Sequence, residues 1–513
     1  MIETKAGEVM KLKVVYDRIL HHIDKLKSNR TYVMITGIIL LFSVSLLGVV
    51  ISGNEYSLAL SCSLFLFFSI LSFLLLKKRK VLFEPIYLFS GYYITVCLSI
   101  WYLVGTHFAT NEFINNTQFN SDFVSLFTIS CFYYFIGYIF TVLGYRYVKQ
   151  DKVEIKFELE DKKKISDRVI NIVIFVFFLI GLFNFLYNVY LFADGNLLLY
   201  LKNISNRSRE FAMGGTTIGY IFAETSIYVW FFKMLRNKKY SSITFVICLS
   251  ISTLMKISVG RIFQTFVFIG VLIGVYYFIE IWERGFIRNR KYIMIACGIL
   301  CAGVFFYFLR LASNLSSIGY MEGGIFSTFQ SFIGKLGYYA VDRGNMPNVA
   351  LMPKIIDAWP NDIGFLYGSS FLIFLFSFLP GQFIPITLAP SVLIKNTWYQ
   401  HITGGNLPPT GIGEMYANFG PFGIIFGMFL FGVLIAYLYK FMIKSKNYWV
   451  LVIGMQISIG FIALYPKGEF SNLSLWMIMP IALTYCLLRT LTTLEYKWCY
   501  RKVPKESIDY EKS

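Results

Sequence analysis

Twelve runs of mostly apolar residues follow one another along this chain, near 31–52, 56–76, 83–105, 122–144, 169–192, 216–235, 241–259, 262–282, 292–310, 415–439, 447–465 and 473–490. Each is close to the roughly 20 residues that a helix needs to cross a hydrocarbon core about 30 Å thick. Inside a bilayer no water can satisfy backbone amides, so such runs must be helical. The expected fold class is therefore all-α, a polytopic membrane protein with about 12 transmembrane helices. Composition agrees: 15% of the 513 residues are charged, where a soluble domain keeps roughly a quarter.

The basic residues set the orientation. Lys77-Lys78-Arg79-Lys80, the group Arg236, Lys238 and Lys239, the stretch from Arg284 to Lys291, the stretch from Lys440 to Lys446, and the tail from Arg489 each follow an even-numbered run. All fall on the side of the N-terminus, and the positive-inside rule makes that side cytoplasmic. The same distribution argues against a nucleic-acid partner. A net charge of +18 is spread here over loops and forms no stripe on one domain. Residues 1–30 are basic and polar, which predicts an amphipathic cytoplasmic segment and no cleavable signal. Residues 31–310 hold transmembrane helices 1–9, 415–490 hold helices 10–12, and 491–513 form a cytoplasmic tail.

Between them, 311–414 is expected to be a large outer loop. Within 311–413, Lys335, Arg343, Lys354 and Lys395 balance Glu322, Asp342, Asp357 and Asp362, as suits a translocated segment. Near 364–390 the loop is apolar, but a crossing there would place every later basic cluster outside. Pro380, Pro385 and Pro390 each remove a backbone donor. The segment is expected to be re-entrant or interfacial, with protein covering its broken backbone.

Seven of the eight cysteines lie in apolar runs and none has a CxxC partner. Neither disulfides nor a metal site is expected. Candidate chemistry lies elsewhere. Arg207, Arg209, Lys256, Arg261 and Arg310 all fall at outer helix ends or outer loops, where the charge rule disfavours them. Together they can line a cationic cavity for phosphate, which the planar guanidinium binds through two hydrogen bonds. Alternatively, each simply reaches for lipid headgroups. The second constellation runs from His401 through Pro408-Pro409 to Glu414, Tyr416 and Asn418. Glu414 and His401 are candidate bases for a hydroxyl nucleophile. The alternatives are a helix-start carboxylate that satisfies free N–H groups and an ordinary loop histidine. Asp342-Arg343 and Lys467/Glu469 are ligand groups or local ion pairs. Gly423 and Gly427 form a GxxxG that predicts a closely packed neighbouring helix.

The segments Leu366-Tyr367-Gly368-Ser369-Ser370-Phe371 and Thr410-Gly411-Ile412-Gly413-Glu414-Met415-Tyr416-Ala417-Asn418-Phe419-Gly420, with Gly260-Arg261 ahead of a span, resemble the Wzy-type polymerases of O-antigen and capsule repeat units. The likeness is strongest over 365–432. An RX10G spacing found in some members is not matched, since Arg209 and Gly219 are one residue too close. The resemblance implies a GT-C-like, metal-independent, inverting glycosyltransferase without cofactors, in the bacterial cytoplasmic membrane with both termini inside. It would polymerise undecaprenyl-diphosphate-linked oligosaccharides at the outer face. Its candidate partners are the lipid bilayer, a chain-length regulator and a flippase. In this reading Glu414, His401 and Arg261 carry the chemistry, while Arg310, Arg207, Arg209, Lys256, Arg343, Tyr416 and Asn418 bind diphosphate and glycan. An O-antigen ligase-type transferase would use the same donor. A lipid-linked oligosaccharide flippase would instead place charges deep in its spans and carry no large outer loop.

Overall fold

A computed structural model describes residues 55–76, 81–109, 121–148, 165–202, 218–237, 242–258, 262–284, 291–295, 298, 348–376, 389–398, 407–445, 447–470 and 479–502. Every regular element among them is helical. The first half contains α1 (Glu55–Leu76), α2 (Pro85–Ala109), α3 (Ser121–Tyr147), α4 (Asp167–Ala193), the short α5 (Leu197–Lys202), α6 (Ile218–Arg236), α7 (Ile243–Ser258) and α8 (Ile262–Arg284). The second half contains α9 (Met352–Ala358), α10 (Ser369–Phe376), α11 (Pro390–Trp398), α12 (Thr410–Phe422), α13 (Met428–Ser445), α14 (Tyr448–Gln456) and α15 (Met479–Lys502).

Five described helices are long and apolar enough to cross a membrane: Pro85–Gly105, Val124–Tyr147, Asp167–Ala193, Gln264–Trp282 and Thr410–Ser445. Three shorter apolar helices, Leu58–Leu74, Ile243–Ser258 and Tyr448–Ile462, fall in further expected runs. The expected first span, most of the ninth and the N-terminal segment lie outside the described residues, as does the tail beyond Lys502; residues 491–502, expected as tail, continue helix α15. Where the spans are described, their outward faces are apolar. Phe422, Phe426, Leu430, Leu434, Tyr437 and Phe441 are exposed at steps of three or four residues along one face, a stripe that suits lipid.

Two large apolar cores divide most of the bundle, beside a smaller cluster around Phe185, Tyr200 and Tyr220. One gathers α1, α2, α3, α9, α12 and the upper part of α13 around Tyr93, Tyr134, Trp359 and Phe431. The other gathers α4, α6, α8, α14 and α15 around Trp282 and Trp449, with Phe232 stacked on Trp449 at 4.3 Å. Helix α13 belongs to both, giving Phe431 and Ile435 to the first and Tyr439 and Met442 to the second. It can lie against α3 because small residues face backbone on each side. A Cβ on Gly432 would collide with the Thr141 carbonyl, and one on Gly144 with the Phe429 carbonyl. Helices in lipid associate largely through such close packing. At its end, α3 is also tied to the start of α2 by the Tyr145 hydroxyl, which donates to the buried Glu84.

The chain from 410 to 445 is not one straight rod. Gly420 has φ 63° and ψ −149°, Pro421 follows it, and Gly423–Gly427 form a π turn. Helix α3 packs against this turn, as the GxxxG spacing predicts, and the glycines also face their own helix. A Cβ on Gly423 would strike the Met415 carbonyl, and one on Gly427 the Met415 sulfur. Both glycines make room for the preceding turns of their own kinked helix.

Candidate active site

The kink leaves helix carbonyls without their usual partners. Pro421 has no N–H to offer the carbonyl of Ala417, four residues back. The loop before α10 supplies the missing donors instead: Leu366 N donates to the Ala417 carbonyl and Tyr367 N to the Asn418 carbonyl, both at 3.0 Å. These donors come from the start of 364–390, the stretch expected to be re-entrant or interfacial. Residues 377–388 lie outside the described residues.

Asn418 fixes the same loop with its side chain. Its Oδ1 accepts from Gly368 N at 2.9 Å, and its Nδ2 donates to Ser370 Oγ and to the Glu414 carbonyl, both at 2.8 Å. The amide is thus engaged by the protein on both its oxygen and its nitrogen, and Asn418 is fully buried. Ser370 then passes its own proton on, donating to Glu414 Oε1 at 3.0 Å. The other carboxylate oxygen, Oε2, accepts from the Tyr465 hydroxyl at 3.1 Å and from Phe470 N at 2.7 Å. Glu414 is 0% exposed. It therefore cross-links three segments that are far apart in sequence: the loop into α10, helix α12, and the turn after α14.

Each motif residue around Glu414 has a spatial reason. Gly411 N donates to the Tyr465 carbonyl at 2.9 Å, and a Cβ there would run into the Tyr465 ring. Gly413 lies against Ile355 of α9, within 2.9 Å of where its Cβ would be. Thr410 adopts φ 68°, an unusual conformation for a β-branched residue. Its hydroxyl shares a 3.0 Å hydrogen bond with the Tyr134 hydroxyl and accepts from Gly413 N at 3.3 Å. Beside Phe470, Glu469 is also fully buried. It accepts from Ser391 N and Ser391 Oγ, which caps the start of α11. Lys467 lies in the same turn, where burial pushes its ammonium down to about 8.

Of the residues expected from sequence, Glu414, Tyr416 and Asn418 come together here. Tyr416 is nearly buried, with its ring 5.7 Å from Tyr133 and 6.4 Å from Phe365. Lys256 is elsewhere. It forms an ion pair with Glu224 of α6 and lies 5.1 Å from the centre of the Phe268 ring. The Tyr228 hydroxyl donates to Glu224 at 3.0 Å. His401, Arg261, Arg310, Arg207, Arg209 and Arg343 lie outside the described residues. Sequence reasoning missed Tyr465, the Phe470 amide and Glu224. Glu224 had a visible signal as a carboxylate within an apolar run; the other two had none, because each acts across a long sequence separation.

A comparison with known proteins bears on the family resemblance. Residues 349–464 match the family described as "Putative O-antigen polymerase". The matched span opens just before α9 and closes at Leu464, beside the tyrosine that donates to Glu414. It supports the Wzy-type resemblance and points to polysaccharide polymerisation by a membrane protein. No curated protein and no solved structure matches the chain.

Proposed function

We propose that this protein polymerises undecaprenyl-diphosphate-linked oligosaccharide repeat units at the outer face of the cytoplasmic membrane. The observation that carries this reading is Glu414 at the start of a membrane-crossing helix: it and its donor Ser370 lie within the family-matched residues, and Tyr465 and Phe470, just beyond the match, complete its partners. In the reaction, a sugar hydroxyl of one lipid-linked unit attacks the anomeric carbon of the growing chain. The bond from that carbon to the polyprenyl diphosphate breaks, and the hydroxyl proton passes to a base. Glu414 is one candidate base, with the Ser370 hydroxyl hydrogen-bonded to it. His401 is the other candidate base. Arg261 and Arg310 are the proposed cations for the departing diphosphate, whose developing charge benefits from fixed donors. Holding two lipid-anchored substrates in register supplies much of the remaining acceleration.

The test is reconstitution of the purified protein in bilayers with lipid-linked repeat units as sole substrate. A ladder of chain lengths without added metal or nucleotide is expected. Flipping without elongation would favour a transporter, and transfer of finished chains to a different acceptor would favour a ligase.

A further inference from the structure

Two of the three non-glycine residues with positive φ among the described residues, Thr410 and Tyr367, belong to the Glu414 junction. Thr410 is buried and its hydroxyl is engaged within the protein. Tyr367 is different. It has φ 47° and is followed by Gly368 at φ 88°, yet 78% of it is exposed. Its backbone is held by the kinked end of α12 through Tyr367 N to the Asn418 carbonyl and Gly368 N to Asn418 Oδ1. The turn needs a left-handed residue, for which glycine or asparagine is cheaper than a bulky side chain. Little of the phenol ring is buried, so it adds little to the packing beneath it. Strain of this kind that the surroundings hold in place clusters at functional sites.

The ring is part of a small aromatic shelf. Phe365 lies 6.3 Å from Tyr367, edge to face, and Phe419 packs over Gly368 and is itself 42% exposed. Phe422, three residues further on, opens the lipid-facing stripe of α12 and α13. The shelf therefore adjoins the exposed apolar stripe of α12 and α13. The electron-rich face of an aromatic ring suits the C–H face of a pyranose.

From this we infer that Tyr367 is a glycan-binding residue, a stacking platform for a sugar ring of the lipid-linked substrate, next to the Ser370–Glu414 pair. The inference rests on the polymerase reading for the identity of the glycan. A Tyr367 that only anchored the chain at the membrane interface would have no need of the left-handed turn.

The experiment compares Tyr367→Gly, Tyr367→Asn and Tyr367→Phe in bilayer discs, with lipid-linked repeat units extracted from a strain lacking the gene. Binding, elongation and thermal melting are each measured. Gly and Asn are expected to melt at or above the wild-type temperature while weakening binding about tenfold, roughly the effect of losing one good contact. Phe should bind as wild type does. Wild-type binding by the Gly and Asn variants would overturn the inference, and so would equal loss in the Phe variant, since the hydroxyl would then be what matters. A wild-type protein that binds the units without elongating them would remove the polymerase reading and leave the binding comparison intact.

Discussion

Glu224 and Glu414 are both carboxylates buried on apolar helices, and they are satisfied in opposite ways. Glu224 on α6 meets a cation, Lys256, and one hydroxyl on its own helix, Tyr228. Glu414 on α12 meets three donors, two hydroxyls and a backbone amide, from segments 44 to 56 residues away. The first arrangement is neutral as a pair and joins helices that are near neighbours in sequence. The second holds a carboxylate with neutral dipoles, and its partners arrive only if the segments at the start of α10 and after α14 have folded against α12. A buried pair of opposite charges can serve packing alone. A carboxylate on α12 held by donors from two other segments makes the arrangement of all three depend on one side chain, which is why the functional reading is placed there.

Removing Glu414 should have the largest effect. Glu414→Ala leaves the Tyr465 hydroxyl and the Phe470 amide without this acceptor, at about 1–3 kcal/mol for each buried group. Elongation should be lost altogether, as read by the ladder of products, together with a lower melting temperature. Glu414→Gln sharpens the point, because Ser370 can accept from the new amide as readily as it donated. If Gln melts near wild type yet elongates at least about a hundredfold more slowly, equivalent to about 2.7 kcal/mol, the charge itself is required; full activity would make the carboxylate purely architectural.

On the other side of the comparison, Lys256→Met strands Glu224, and breaking a buried pair from one side costs about 3–5 kcal/mol. The double variant Glu224→Gln/Lys256→Met should recover most of that in a melting experiment. Retained elongation in the double variant would confine Lys256 to packing, whereas lost elongation would return it to the diphosphate site. A smaller effect, about 2–3 kcal/mol, is expected for Asn418→Ala, which frees Gly368 N and Ser370 Oγ from one partner each. Its readout is faster hydrogen exchange at Gly368, and unchanged exchange there would show that the loop does not depend on Asn418.

The smallest effect concerns pH. The Lys467 ammonium sits near 8 in the folded protein and near its ordinary value of about 10.4 when unfolded. Between those values the unfolded chain binds the extra proton, so stability from this group rises with pH across about 8–10. Lys467→Met should flatten that part of the melting profile; an unchanged slope would mean the lysine is solvated.

Much of this was legible from residues alone, for a physical reason. Bilayer thickness turns a count of apolar residues into helices, and the twelve runs needed no tertiary information. Glu414 stood out as a carboxylate at the start of a span, while the expected interruption at Pro380 and Pro385 lies outside the described residues. What the sequence could not show was who answers those groups. Leu366 N and Tyr367 N reach the carbonyls beside the Gly420–Pro421 kink, and Tyr465 and Phe470 reach Glu414 from beyond α14. Such partners are set by which helix ends meet in space, and one-dimensional spacing carries no trace of that. Lys256 makes the same point from the other direction. By sequence it was one of five outer cations open to a phosphate, and only the packing of α6 against α7 decided that it would face Glu224.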